Sequence, residues 1–273
     1  MSDLNINPNI EDEISLKDII DFIIESWKTI LATGIVGILA AVGYIVVTPN
    51  KYEATAQIQM AQLSSGQVAA TNVEDPNLLI ARMKLPSSYD QNAITICGNQ
   101  TEKYPAESLA KMVVLSVSKG TQMVELKVNG LSREQATQCA ESILRIVKDT
   151  QKAITEPIID EAKAKLVKYS QRLQEAQSFI AKADKSGSSM SAAYLSTRDE
   201  VKYLTDESIR LNDLIISANT RQTKLVSPIY APENKVSPKR ANALIAGLFA
   251  GLFLGLLFML GRRALAAYKA TNA

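Results

Sequence analysis

The chain has 273 residues, 30 Lys and Arg against 28 Asp and Glu, a net charge of +2 and no histidine. Near-balance of charge, without a basic stripe interleaved with aromatics, argues against a nucleic-acid partner. The missing histidine removes the commonest general acid and base and the commonest metal ligand together. A mean hydropathy of +0.01 conceals two very apolar spans around a polar middle.

Residues 1–28 form a polar tail in which Leu16, Ile19, Ile20, Ile23, Ile24 and Trp27 recur at helical spacing on one face. Ser15 is placed to cap this amphipathic segment, Asp18 nearly completes a capping box, and Trp27 suits the membrane interface. The segment either orients the span after it or docks a cytoplasmic partner. Residues 29–48 carry no charge and reach about 30 Å as a helix, the depth of a bilayer core. An Ala54-Thr55-Ala56 triplet imitates a signal-peptide cleavage site. The acidic lead-in (Glu11, Asp12, Glu13, Asp18, Asp21) and the length of the apolar run point instead to a retained helix.

Residues 49–240 are long enough for one domain with a core of its own. Ala54, Ala56, Ile58 and Met60 alternate with polar residues, the period of a strand with one buried face. Residues 113–118 and 123–128 read as a hairpin, and residues 223–230 as a strand returning near the first, which sets the sheet beside the membrane. From Ser132 the pattern turns helical, with Glu134 in the first turn and Ala136, Ala140, Ile143, Leu144 and Val147 on one face. Pro157 is expected to end or kink that helix.

Beyond it Ile159, Ala162, Leu166, Tyr169, Leu173, Ala176, Ile180 and Ala183 step by threes and fours. After a Gly-Ser loop at 184–189, Tyr194, Thr197, Val201, Leu204, Ser208, Leu211, Ile215 and Ala218 repeat the stepping. Together they predict an antiparallel helical hairpin within about 132–222, roughly 35 to 45 Å long by the helix rise. Small and polar seam residues imply packing on further surface, such as copies of itself. The fold class expected is an α+β membrane protein, with a small sheet and long helices between two transmembrane helices.

The second span is residues 241–261, where Gly247, Gly251 and Gly255 make two overlapping G-x-x-x-G steps. Thr33, Gly37 and Ala41 offer the same spacing in the first span, as partners within one chain or between chains. Two spans put both termini on one side. Arg262, Arg263 and Lys269 in the 262–273 tail favour the cytoplasm, a vote weakened by Lys239 and Arg240 at the other end of the span.

No nucleotide-binding loop is present, and the carboxylates fall among Lys and Arg on helical surfaces, so no catalytic, cofactor or metal site is expected. Few aromatics in the middle domain argue against a deep lectin-like pocket and leave shallow, polar glycan contacts. Cys97 and Cys139 are the only cysteines. In an oxidising compartment they would bridge the loop region at Cys97 to the Ser132 helix, contributing about 4 kcal/mol through loop closure. Cys139 also fits the apolar helix face as a buried thiol.

The layout resembles the polysaccharide co-polymerases, the chain-length determinant (Wzz-type) family. The resemblance is carried by Asp12-Glu13-Ile14-Ser15-Leu16, the first span followed by Tyr52-Glu53-Ala54, the helical middle, and Pro228, Pro232, Pro238 and Lys239 entering the second span. It implies a bacterial inner-membrane protein with both tails cytoplasmic and a periplasmic α/β domain. It further implies a non-enzymatic homo-oligomer that works with a polymerase on lipid-linked glycan to set the length of O-antigen or a related exopolysaccharide. The short middle domain and the lack of a fused tyrosine kinase depart from some members, which leaves a separate cytoplasmic kinase as a candidate partner of the tails. A membrane-anchored periplasmic adaptor of a transport or secretion complex is the alternative, and a sensory receptor a third. Pro228, Pro232, Pro238, Lys239 and the three spaced glycines are the candidate assembly and regulatory residues.

Overall fold

Alternation in the first strand sets the frame, because Ala54, Ala56 and Ile58 all turn into the core while their neighbours stay partly or fully exposed. The computed structural model describes residues 16–66, 69–187 and 191–271. The chain divides by its contacts into Lys51–Val236 and a second unit made of Met1–Asn50 with Ser237–Ala273. The second unit holds α1 (Leu16–Val47) and α7 (Arg240–Thr271). The first runs β1 (Tyr52–Gln59), β2 (Gln62–Leu63), β3 (Thr71–Asn72), α2 (Pro76–Met83), α3 (Gln91–Ile96) and α4 (Pro105–Met112). It continues with β4 (Val113–Val117), β5 (Val124–Gly130), α5 (Arg133–Lys185), α6 (Ala192–Thr220) and β6 (Lys224–Leu225).

The main sheet is antiparallel, in the order β4-β5-β1-β6. Its register sets Ala54 opposite Val128, Ala56 opposite Leu126 and Ile58 opposite Val124, so one face is continuously apolar. The expected 113–128 hairpin is present, closed where the Ser118 amide donates to the Met123 carbonyl oxygen at 2.9 Å, with Gly120 at φ +75° in its turn. The returning strand is reduced to β6, with Tyr230 bridging further along to Thr55. A second ribbon joins β2 to β3.

Residues 76–112, for which the sequence suggested no element, form three short helices. Asp75 caps α2 by accepting from the Asn77 amide at 2.7 Å, and Asp90 caps α3 by accepting from Ala93 at 2.7 Å. Pro76 and Pro105 open α2 and α4 at positions where no amide is needed. Cys97 is thus the C-cap of α3 rather than part of a loop, and it is bonded to Cys139 of α5 with the Cα atoms 4.8 Å apart.

The core lies between the sheet and the start of α5, where Ala136, Ala140, Ile143 and Val147 are fully buried. The close approach requires Gly130, since a Cβ there would stand 2.7 Å from the Ala136 amide. Ser132 opens α5 as read, accepting from the Gln135 amide at 3.1 Å. Of the two outcomes expected at Pro157, the helix end does not occur: α5 runs through it for 53 residues. Proline removes one hydrogen bond and crowds the preceding turn, a cost of about 3 kcal/mol. Packing holds both sides of it, the sheet before and α6 after.

From Ile159 onward the burial follows the seam. Every seam position read from the sequence, in α5 and in α6, is buried or half-buried, and the residues between them on α5 are exposed. Gly187, at φ +71°, turns the chain after α5, and Ser191 caps α6 by accepting from the Tyr194 amide. The amphipathic tail helix and the first span are one helix, α1, and the Ser15 cap lies outside the described residues.

Candidate functional site

Three places carry the candidate residues and the contacts that hold the parts together: the helix seam in the apolar unit, the root of the hairpin, and the proline segment. In the apolar unit Ser26–Val47 and Arg240–Ala266 are each long and apolar enough to cross a membrane. Their outward side chains are large and apolar, among them Leu31, Ile35, Leu39, Phe249, Phe253 and Phe258. With apolar solvent outside there is little hydrophobic drive between the helices, and close van der Waals packing takes its place.

That packing occurs on the glycine stripe. A Cβ added at Gly251 would stand 2.5 Å from the Thr33 carbonyl oxygen, and one at Gly247 would stand 2.6 Å from the Gly37 carbonyl oxygen. At Gly37 it would collide with the Gly247 carbonyl oxygen, and at Gly255 with the Thr33 hydroxyl. The two stripes read from the sequence therefore meet each other within one chain. The Gly247, Gly251 and Gly255 face of α7 is occupied by α1.

The hairpin root is held by polar contacts that the sequence reading missed. Gln151 is fully buried, and its Oε1 accepts from the Ala61 amide at 2.8 Å and from the Thr223 hydroxyl at 2.6 Å. Its Nε2 donates to Glu74 Oε2 at 3.4 Å. Glu74, only 6% exposed, is gripped by Arg82 through two bonds of 3.0 Å. One amide side chain so joins the end of β1, the entry to β6 and the α2 segment. Beside it the Ser217 hydroxyl of α6 accepts from the Ser64 amide at 2.9 Å, and the Gln62 amide donates to the Arg221 carbonyl oxygen at 2.9 Å. A signal for Gln151 did exist: the stripe Ala140, Ile143, Val147 continues at helical spacing through Gln151 and Thr155, so a polar side chain falls where a buried one belongs.

Elsewhere the electrostatics are those of a solvated surface. Burial pushes the Tyr89 phenol up, and its hydroxyl donates to the Met83 carbonyl oxygen. Hydrogen bonding to Lys165 holds the exposed Glu161 carboxyl down. Arg172 of α5 pairs with Glu200 of α6 on the hairpin surface, a contact worth about 0–1 kcal/mol. Among the described residues no group of three His, Cys, Asp or Glu could hold a metal ion. Of the candidate residues, Pro228 and Pro232 belong to the sheet unit, and Pro238 and Lys239 to the apolar one.

These features define an α+β protein with two helices long and apolar enough to cross a membrane and another unit that carries a long helical hairpin on a small antiparallel sheet. Residues 12–125, from the tail through α1 and the sheet unit into β5, match the family model Wzz, the chain length determinant proteins. Among solved structures it is similar to a full-length bacterial polysaccharide co-polymerase, at 20% identity over 94% of this chain and 100% of the other, with a TM-score of 0.43. It is also similar to a fragment of WzzB, a polysaccharide co-polymerase from Salmonella Typhimurium, at 13% identity over 69% and 100%, TM-score 0.31. A third is a mutant of the Shigella flexneri lipopolysaccharide O-antigen chain-length regulator WzzBSF, at 16% identity over 68% and 99%, TM-score 0.23. A comparison with curated protein sequences finds no match.

Gly251→Leu is expected to force α1 and α7 apart and destabilise the pair by about 1–3 kcal/mol or more. Gly43→Leu, whose added Cβ meets nothing within 4 Å, serves as the control. Thermal unfolding in detergent compares them, and equal midpoints would refute the seam. Gln151→Leu strands the Ala61 amide and the Thr223 hydroxyl in the core and is expected to cost about 2–4 kcal/mol in urea unfolding. A loss below about 1 kcal/mol would show that the root is held by other contacts.

Proposed function

We propose that this protein determines the chain length of an exported bacterial polysaccharide, O-antigen or an exopolysaccharide, as a non-catalytic oligomeric partner of the polymerase. The observation that carries the reading is the chain length determinant match over residues 12–125. Two apolar helices suited to anchoring and a long hairpin with a small-residue seam support it. So does a sequence without histidine, in which no nucleotide-binding loop occurs.

In this reading both termini lie in the cytoplasm and residues 49–240 lie in the periplasm of a cell whose inner membrane holds the two spans. A Cys97–Cys139 bridge suits that oxidising compartment. The substrate is polymer growing on a lipid carrier, and the chemistry belongs to the polymerase. This chain supplies a stiff surface, and the length at which growth stops follows from how long polymer or polymerase stays engaged with the assembled surface. Pro238 and Lys239, at the entry to α7, set how that surface is seated, and the α1 tail is the candidate dock for a separate cytoplasmic kinase.

The test is the size profile of surface polysaccharide on a gel, comparing a deletion strain with its complemented counterpart. A preferred-length band should spread into unregulated lengths on deletion and return on complementation. Pro238→Ala with Lys239→Ala should move the band without abolishing polymer. A profile unchanged by deletion, for every polysaccharide the cell makes, would overturn the function.

A further inference from the structure

We infer that the first three turns of α5 carry a shallow binding groove for a charge-neutral glycan segment, with Tyr230 at one end and Asn92 at the other. The inference rests on the proposed function for the identity of the polymer; the groove itself rests on geometry. Two depressions of about 520 and 340 Å³ lie side by side on the exposed flank of α5, the first against residues 229–231, the second against α3. They share Gln138 and Glu141, so they adjoin one another along the helix. Volumes of this order are those of small-ligand sites, about 300–1,000 Å³.

The lining is suited to sugar. Tyr230 is 67% exposed and offers a ring with an apolar face and a polar tip. Gln138 and Asn92 bring amides, which both donate and accept, and Glu141 brings a carboxylate, the mix that hydroxyl pairs on a sugar ring can satisfy. Ser142 lines the second depression, is 5% exposed, and its hydroxyl has no hydrogen-bond partner.

Charge narrows the class further. The groove's two guanidinium groups are already engaged: Arg133 donates to the Ala231 carbonyl oxygen at 3.2 Å and stands 3.6 Å from Glu233, while Arg145 pairs with Asp90 at 2.9 Å. Glu134 and Glu141 balance them within the lining. A polyanion or a phosphate would find no uncompensated cation here. A protein segment would want a large apolar anchor pocket, and the only large aliphatic side chains lining the track are Ile96 and Ile229.

The groove is also stiff. Cys97, which follows Ile96 on one wall, is bonded to Cys139, which follows Gln138 on the other, and Gln135 Nε2 donates to the Cys97 carbonyl oxygen at 3.4 Å. A covalent tie directly beneath the track holds α3 and α5 at a fixed spacing, so little ordering is needed on binding.

The experiment uses the full chain in detergent, with oligosaccharides of one to four repeats released by mild acid from the cell's own surface polymer and freed of lipid. Saturation-transfer NMR and calorimetry should show saturable binding. Tyr230→Ala and Gln138→Ala should each weaken it about tenfold, while Tyr230→Phe, which keeps the ring, should stay near wild type. Both residues are exposed, and unchanged thermal unfolding controls for folding. In cells the two alanine variants should broaden the length profile with the assembly's mass by light scattering unchanged. No saturable binding by the wild-type chain, or wild-type binding and profile in both alanine variants, overturns the groove and leaves the proposed function standing, provided that deletion alters the profile. A smaller assembly in the variants also overturns it and assigns the track to contacts between copies. Deletion without any change in profile sinks the proposed function instead.

Discussion

The architecture of the sheet unit depends on one helix serving two cores. Its first half buries Ala136, Ala140, Ile143 and Val147 against the sheet, and its second half buries Ala162, Ala176 and Ala183 along the seam with α6. Splitting it at Pro157 would expose the last carbonyls of one helix and the first amides of the next, and each set would need caps. Continuity avoids that at the cost of one hydrogen bond and a local clash. No loop intervenes between the base and the rod.

A seam interrupted by small and polar members such as Ala162, Ala176, Thr197 and Ser208 specifies orientation less tightly than a fully apolar one, and surface ion pairs such as Arg172 with Glu200 contribute about 0–1 kcal/mol. The exit angle of the hairpin is therefore set at its root. There Gln151, Thr223, Glu74 and Arg82 form a buried chain of hydrogen bonds, and such a chain is satisfied in one arrangement only. An apolar core at that point would hold the rod as firmly but tolerate sliding. In the apolar unit the same logic runs through backbone contact: Gly37, Gly247 and Gly251 permit a distance at which any larger residue collides.

Patterned surfaces were legible in the sequence and isolated contacts were not. Ala54 to Met60 announced a strand by alternation, and the sixteen seam positions announced two helices by their stepping, because burial repeats with the period of the element. The stretch 76–112 was silent because α2, α3 and α4 are at most two turns long, too short for a period to establish itself, though Asp75-Pro76 and Asp90 carry cap signals. At Pro157 the packing on either side outweighs the local propensity to end the helix, which the sequence alone does not weigh. Gln151 and Glu74 were passed over because a polar residue is solvated far more often than buried, and only the third dimension showed which ones were not. The track along α5 draws on Asn92, Gln138, Ser142 and Tyr230, far apart in the chain and joined by no motif.

The central claim of this account is that α5 is a single member from sheet to tip. Spin labels introduced at Lys148 and Lys168, both exposed and on opposite sides of Pro157, measure it directly by pulsed dipolar spectroscopy, with the native cysteines left bonded. An unbroken helix predicts one narrow distance between backbone positions near 30 Å, from a rise of about 1.5 Å per residue. A broad distribution centred well below that value would mean that the helix breaks at Pro157 and that the rod moves independently of its base.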